Sequence, residues 1–217
     1  MVGSGAGGPG VVACPTPLWA IDAIIRAGQR MDAKGWVPAT AGNISVRLAD
    51  RIAITRSGGH KGFLTHADVM QVDFVGGALT DARPSAETGL HCQIYRLFPA
   101  AGAVLHGHSV AATVLSMATP ESSDAAIAFS GYELLKAFEG QTTHAATLSL
   151  PVLENDQDIA RLVSVLEPLL AANAPLGYLI RGHGVYVWGP DMPTALARLE
   201  GLEFLLACEL ETRKLAR

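Results

Sequence analysis

The sequence predicts an α/β fold in which helices cover a single mixed sheet. Segments with helical and with strand periodicity follow one another along 217 residues without a regular alternation, and two pairs of strand segments are arranged as hairpins. Apolar residues make up 49% of the chain, which is enough for a sizeable core. The predicted organisation is a flexible, Gly-rich N-terminal tail over residues 1–14 and a single domain over residues 15–217.

The first half of the chain contains a helix, a hairpin and a glycine-rich loop. Apolar residues from Leu18 to Met31 recur at helical spacing, and Gly35 marks the end of this helix. The segment ISVRLADRIAIT alternates on both sides of a two-residue break, which predicts a hairpin. After the loop TRSGGHKGF, Thr65 and Asp68 have the spacing of a capping box before a short helix, and MQVDF predicts a strand.

The second half of the chain contains the longer helices. Ser85 opens a predicted helix, SAETGLHCQIYRLF, with Glu87 in its first turn. The elements that follow are a strand (AGAVLHGH), a helix (VAATVLSM), a short helix ending at Gly140 (GYELLKAFEG), a strand (ATLSLPVL), a helix (156–172) and a hairpin or kinked strand (YLIRGHGVYVWG). The last segment, Met192 to Arg217, predicts a long helix with more leucine than one face of a small domain needs, which favours a subunit contact.

Charge and cysteine content narrow the possible function classes. The net charge is −4 and no lysine or arginine block is present, so nucleic acid is not an expected partner. Three widely spaced cysteines, and an N-terminus without the basic and apolar parts of a secretory signal, favour a cytoplasmic protein. The stretch from Leu97 to Pro120 has no charged residue, but its prolines, glycines and two histidines oppose a membrane-spanning helix and favour a buried strand followed by a helix.

Three glycine-flanked histidines predict a metal site. His106 and His108 lie two apart at the end of a predicted strand, so their imidazoles project together. Taken alone, this pair is equally well interpreted as two hydrogen-bonded histidines. His183 also follows an apolar strand, and the glycines beside it let the backbone bend toward a shared centre. Three histidines leave a coordination position open, which is typical of catalytic zinc, although iron, cobalt and manganese stay open.

The loop SGGHKG is a candidate phosphate site. Ser57, Gly58 and Lys61 can hold a phosphate through backbone N–H groups, a hydroxyl and a positive charge. Alone, the pattern is more typical of a tight surface turn than of a phosphate site. It gains weight from Asn43, just before the hairpin, and from Ser85 at a predicted helix N-terminus, where anions are attracted.

Two glutamates are candidate proton-transfer groups. Glu87 lies in PSAE, and Glu133 lies in the short helix GYELLKAFEG. Each can equally be an ordinary solvated helix carboxylate, and spacing alone does not identify either glutamate as the catalytic one. The other four histidines, His60, His66, His91 and His144, are not predicted as metal ligands. His91 follows Glu87 by four residues, so these two side chains could pair on one helix face.

Together, the segments AGNIS, TRSG, PSAE, HGH and GHG resemble the class II aldolase family in order and spacing, from about Leu18 to the last helix. The resemblance implies an α/β/α fold around a central, mostly antiparallel sheet, and a homotetramer with zinc sites near its subunit interfaces. It also implies one Zn²⁺ per subunit, held by His106, His108 and His183. The phosphate of a sugar-phosphate substrate would lie among Asn43, Ser57, Gly58 and Ser85, with Lys61 nearby.

Within this family, RGHGVYVWG, PVLEN and GYELLKAFEG resemble the dehydratases of methionine salvage, which act on a methylthio-ketose phosphate. In those enzymes a glutamate of the later helix is the expected acid–base group, which corresponds to Glu133, and we expect partial burial to raise its pKa. In the aldolases the glutamate of the PSAE-like motif has that role, which corresponds to Glu87. A sugar-phosphate aldolase or epimerase of the fuculose or ribulose phosphate type is therefore the alternative, and a binding module without activity is a third.

Overall fold

The fold is a single eight-stranded sheet with helices on both faces, seen in a computed structural model that describes residues 15–173 and 177–216. The helices are α1 (Leu18–Ala33), α2 (Thr88–Leu97), α3 (Val110–Ala118), α4 (Ile159–Asn173) and α5 (Met192–Leu215). The strands are β1 (Asn43–Arg47), β2 (Ile52–Thr55), β3 (Val69–Val72), β4 (Ala103–Gly107), β5 (Ala126–Ser130), β6 (Thr147–Leu153), β7 (Gly177–Ile180) and β8 (Gly184–Gly189). The predicted tail, 1–14, lies outside the described residues, so the division into a tail and one domain stays a prediction.

The sheet is mixed and mostly antiparallel. Its strand order is β3-β2-β1-β4-β8-β7-β6-β5, and β6–β7 is the parallel pair among neighbours that are otherwise antiparallel. Both predicted hairpins, β1–β2 and β7–β8, are present. The predicted fold class is therefore confirmed.

Alternating side chains of the strands bury two separate cores. In β8, Val185 and Val187 pack in the core shared with α1, α3 and α5, whereas Tyr186 and Trp188 pack in the core shared with α2 and α4. This alternation follows from the strand period of two. Because both faces of the sheet are covered, the central strands β4 and β8 are buried throughout, and the predicted three-layer α/β/α arrangement is confirmed.

Three local predictions need correction. Helix α2 begins at Thr88, three residues after Ser85, because the backbone at Pro84 is still bridged to Arg56 beside β2. Only a 3₁₀ helix, Glu133–Ala137, forms within GYELLKAFEG. The edge strand β5 was not predicted, since its five residues, AIAFS, carry weak strand signals.

The uncharged stretch between Leu97 and Pro120 divides into β4 and α3, as predicted. Among the helices of the described residues, none has both the length and the apolar character needed to cross a bilayer.

A buried carboxyl group on α5 makes stability depend on pH. Glu203 is 3% exposed, its Oε1 has no hydrogen-bond partner among the described residues, and burial raises its pKa from 4.5 to about 7, with the Ser109 hydroxyl partly opposing the shift. Between these two pKa values the folded protein binds more protons than the unfolded chain, so the free energy of unfolding falls as pH rises. Between about pH 5 and pH 8, the free energy of unfolding should fall by about 2 kcal/mol less in Glu203→Gln than in the unmodified protein.

Urea unfolding of both proteins at the two pH values, at equal protein concentration, measures this difference. Parallel pH dependence of the two proteins would contradict it.

Candidate active site

Two segments of the sheet centre bring the three histidines together. His106 is in β4 and His108 directly follows that strand, whereas His183 is in the tight turn between β7 and β8. Gly182 has a φ of +64° in this turn, a conformation that favours glycine. Because β4 pairs with β8, with His106 opposite Tyr186, the turn is held against the end of β4.

The three imidazoles form a compact triangle. Their ring centroids are 4.5 Å apart for His106–His108, 4.7 Å for His108–His183 and 5.0 Å for His106–His183. One nitrogen of each ring lies within 4.8 Å of the others, so the three can ligate a single ion. The convergence expected from the sequence is therefore present, and the chain contains a possible three-histidine metal site.

The hydrogen bonding of His106 fits a metal ligand. Its Nδ1 is 2.9 Å from the backbone oxygen of Val185, and a carbonyl only accepts, so Nδ1 carries the hydrogen. Its Nε2 therefore has a free lone pair, and this buried atom has no hydrogen-bond partner in the part of the chain that the structure describes. In metal-binding histidines, a hydrogen bond from the ring nitrogen that does not bind the metal fixes the tautomer and the orientation of the ring. Tyr186 also stacks on the ring, with centroids 4.0 Å apart.

Burial keeps His106 and His108 neutral, which is the form of histidine that binds metal ions. It lowers the pKa of His106 well below its ordinary value and lowers that of His108 to about 4, with the neighbouring His183 contributing to both shifts. The residues present thus fit a divalent ion with nitrogen ligands, such as zinc.

Glu87 lies against the histidine triangle. Its Oε1 is 2.8 Å from His183 Nε2 and its Oε2 is 3.4 Å from His106 Nε2. Asn43 Nδ2 donates to Oε2 at 2.6 Å. Burial alone would raise the pKa of Glu87, but the hydrogen bonds with His183 and from Asn43 hold it well below its usual range. An ionised carboxylate therefore lies beside the candidate metal site.

Gly184 is needed because two backbones approach closely behind the triangle. A Cβ at this position would lie 2.1 Å from the backbone oxygen of Gly107 and 3.0 Å from His106 Cε1. Gly184→Ala should lower the free energy of unfolding by about 3 kcal/mol and weaken metal binding, because overpacking displaces β4 from β8.

Gly89→Ala is the matched control, since its Cβ would meet Ile159 at an ordinary 3.4 Å. Thermal unfolding and zinc titration of both variants check this prediction. Equal behaviour of the two variants would contradict it.

All five predicted phosphate-binding residues line one cleft beside the triangle. This cleft, of about 310 Å³, also contains Glu87 and His108. The five residues are Asn43, Ser57, Gly58, Lys61 and Ser85. Ser85 lies near but not at the N-terminus of α2, so the expected helix contribution to anion binding is smaller at Ser85 itself.

Lys61 and Asn43 differ in how free they are to bind a ligand. Lys61 is buried, and its ammonium group donates to the backbone oxygens of Thr40 at 2.9 Å and Gly59 at 2.7 Å, which leaves one of its three donors. Burial lowers its pKa to about 8, so it remains mostly charged at neutral pH. The Asn43 amide, in contrast, already contacts Ser85, Glu87 and His91.

Glu133 lies in a different cleft of the same chain. Its side chain is 74% exposed, pairs with Lys136 at 2.6 Å and faces a cleft of about 930 Å³ that shares no lining residue with the 310 Å³ cleft beside the triangle. The expectation of a raised pKa is wrong for the single chain, because the hydrogen bond from Lys136 lowers it. The two clefts are neighbours. Trp36 lines the larger cleft, and its backbone oxygen accepts the N–H of His108, which lines the smaller one.

The matched family model supplies the decisive comparison. The model described as "Class II Aldolase and Adducin N-terminal domain" matches residues 22–210, which is most of the chain. The chain belongs to this class II aldolase family. Every candidate site residue, from Asn43 to His183, lies inside the matched range.

Relatives within the class II aldolase family include well-matched curated proteins. The chain is 69% identical over 204 residues to a methylthioribulose-1-phosphate dehydratase of Granulibacter bethesdensis, covering 92% of this chain and 94% of the relative. It is 67% identical over 189 residues to a protein of the same name from Gluconobacter oxydans, covering 86% and 89%. Among solved structures, L-fuculose-1-phosphate aldolase from Thermus thermophilus is similar, with a TM-score of 0.70 and 25% identity over 91% of this chain and 96% of that chain.

Two residues that the class II aldolase motifs did not single out also belong to the site. Tyr186 supports His106 by stacking, and His91 hydrogen-bonds Asn43. The position of His91, four residues after Glu87 on α2, was the only available sequence signal, and it indicated a pairing with Glu87 rather than with Asn43.

Proposed function

We propose that the chain dehydrates 5-methylthioribulose 1-phosphate to 2,3-diketo-5-methylthiopentyl 1-phosphate and water, a step of methionine salvage. The observation that carries the proposal is the triangle of His106, His108 and His183 beside a polar cleft that can hold a phosphate. The names of curated relatives that are 66–69% identical support the choice of substrate. We place the reaction in the cytoplasm, in keeping with the free thiols of Cys92 and Cys208.

The three histidines would hold one zinc ion per subunit. When bound, zinc would supply a Lewis acid that polarises a carbonyl oxygen of the substrate. His106 contributes a neutral nitrogen, and the hydrogen bond from its Nδ1 to the backbone oxygen of Val185 fixes the orientation of its ring. Metal analysis of the purified protein distinguishes zinc from iron, cobalt and manganese.

The phosphate group would bind in the cleft among Ser57, Gly58, Ser85 and Lys61. Lys61 supplies the positive charge, and the hydroxyls and backbone N–H groups supply hydrogen-bond donors. Asn43 lies at the edge of this group and would reach a phosphate only by giving up its 3.3 Å contact with Ser85. Anchoring the phosphate, which does not react, orients the reacting carbons near the histidines.

Glu133 would act as acid–base group from a neighbouring subunit. It is exposed and lines a cleft separate from its own chain's histidines, so a role in the same chain would require a large movement. A homotetramer with sites near subunit interfaces removes this difficulty. Glu87 would be the supporting carboxylate that is fixed within the site. Glu133 would take the proton from the third sugar carbon and return one to the hydroxyl that leaves the fourth.

A product assay on 5-methylthioribulose 1-phosphate tests the proposed function. Dehydration yields a diketone phosphate without small aldehyde fragments. Aldol cleavage, which the position of Glu87 beside the histidines would favour, yields dihydroxyacetone phosphate and an aldehyde instead. Detection of those fragments, or of an epimer of the substrate, would contradict the proposal.

A further inference from the structure

A chain of buried hydrogen bonds runs from the Glu87 carboxylate into the core. Asn43 Nδ2 lies 2.6 Å from Glu87 Oε2, and the other end of this amide, Oδ1, contacts His91 Nε2. The second ring nitrogen, His91 Nδ1, lies 2.7 Å from the hydroxyl oxygen of Ser45. That oxygen is in turn 2.9 Å from the Tyr95 hydroxyl. Four of the five side chains are nearly inaccessible to solvent, and the fifth, Glu87, is mostly buried.

The periods of one strand and one helix build this chain of contacts. Asn43 and Ser45 are two apart in β1, so their side chains share one face of the sheet. His91 and Tyr95 are four apart in α2, so they share one face of the helix. Packing α2 on the sheet therefore aligns the two pairs, and Glu87, at the start of the helix, completes the series.

The observed orientation of the Asn43 amide fixes the direction of these hydrogen bonds. Its Nδ2, which only donates, faces Glu87 Oε2, and its Oδ1, which only accepts, faces His91 Nε2. His91 Nε2 therefore carries the hydrogen, and its Nδ1 is left as an acceptor. Ser45 then donates to Nδ1, and Tyr95 donates to Ser45.

A neutral His91 is what this arrangement requires. A neutral imidazole has one donor and one acceptor, which match the amide oxygen on one side and the serine hydroxyl on the other. Burial lowers the pKa of His91 to about 4, so the ring stays neutral near pH 7. The ring therefore offers the Asn43 amide a donor, which only the amide oxygen can accept.

We propose that His91 is a positioning residue for the reaction: it fixes the Asn43 amide so that the amide nitrogen holds the Glu87 carboxylate beside His106 and His183. The role of His91 in the reaction rests on the proposed function, whereas the hydrogen-bond arrangement around His91 does not. Without His91 the amide can turn over, its oxygen then faces the carboxylate, and the two oxygens repel each other. Glu87 would then leave its place beside the histidines.

The first measurement is the tautomer of His91. In zinc-loaded protein labelled with ¹⁵N-histidine, nitrogen NMR should show a neutral ring with the hydrogen on Nε2. The resonances are assigned in the unmodified protein by through-bond correlation with the His91 backbone. A hydrogen on Nδ1, or a doubly protonated ring near pH 7, would overturn the proposal even if every variant failed to fold.

The second measurement separates positioning from simple space filling. His91→Phe fills the site without hydrogen bonds, and we expect kcat to fall on the order of 10–100-fold, with KM changed less than about twofold and zinc content unchanged. His91→Gln keeps one donor and one acceptor, and kcat should return to within about threefold of the unmodified protein. Equal losses in the Phe and Gln variants would overturn the proposal.

Tyr95→Phe is the matched control. It removes the last hydroxyl of the series but leaves both hydrogen bonds of His91, so kcat should stay within about threefold. A loss as large as that of His91→Phe would overturn the proposal, because the effect would then not depend on Asn43. If the unmodified protein does not dehydrate 5-methylthioribulose 1-phosphate, the proposed function fails, and the tautomer of His91 decides this inference separately.

Discussion

Replacing His183 with alanine is expected to leave the protein folded but without stably bound zinc, and to lower turnover by about 10³-fold or more. His183 lies in the turn between β7 and β8 and is partly exposed, so removal of its ring leaves no large cavity. The two remaining histidines, His106 and His108, provide too few ligands for a stable site. The Glu87 carboxylate also loses its 2.8 Å contact with His183 Nε2.

Metal content after dialysis and initial rates of diketone formation measure the two effects. The matched control is His66→Ala, since His66 is exposed and its nearest carboxylate contact, Asp22, is 4.0 Å away. The control should retain full zinc and full activity. Retention of zinc and turnover by His183→Ala would show that the triangle is not the reaction centre.

Glu133→Gln is expected to keep its zinc and to lose turnover by about 10²–10⁴-fold, the usual contribution of a general acid–base group. The amide is isosteric but cannot exchange a proton, and the side chains that contact the Glu133 carboxylate are Lys136 and His144 rather than the three histidines of the candidate metal site. The comparison is Glu87→Gln. If Glu133→Gln retains a near-normal rate and Glu87→Gln does not, the acid–base role belongs to Glu87.

Mixed oligomers test whether Glu133 acts on a neighbouring subunit. Co-expression of Glu133→Gln with His183→Ala should restore about a quarter of full activity, because half of the subunits keep their histidines and half of their neighbours keep the glutamate. Each variant alone should remain inactive. Absence of recovery in mixed oligomers that contain both chains would place Glu133 and the histidines in the same chain.

Local periodicity was sufficient to predict most of the fold. The stripe of apolar residues in α1 and the alternation in β1, β2 and β8 each reflect a single period, so their positions follow from the sequence. The start of α2 was misplaced because the pairing of Pro84 with Arg56 is a tertiary contact that overrides the local helix signals at Ser85. Strand β5 was missed for a similar reason, since pairing with β6 rather than its own composition holds it in place.

The candidate site was only partly accessible from the sequence. The sequence indicated the histidine triangle because glycines next to a histidine are a local signal. The role of Gly184, however, is to allow close backbone approach rather than bending. No local pattern indicated that Glu133 lies in a separate cleft, since this depends on how α5 and the segment after β5 pack. Nor could a local pattern orient the Asn43 amide, because that depends on His91 from a different element.

The strand pair β4–β8 is the middle of the sheet, with three strands on each side. In native-state hydrogen exchange, fraying begins at the margins of a sheet and reaches its interior only when the whole molecule opens. Transient detachment of β3 or β5 therefore exposes neither His106 nor the turn that carries His183. A metal ion held by these histidines would therefore be released only by opening of the sheet interior, and not by local fraying of its edges.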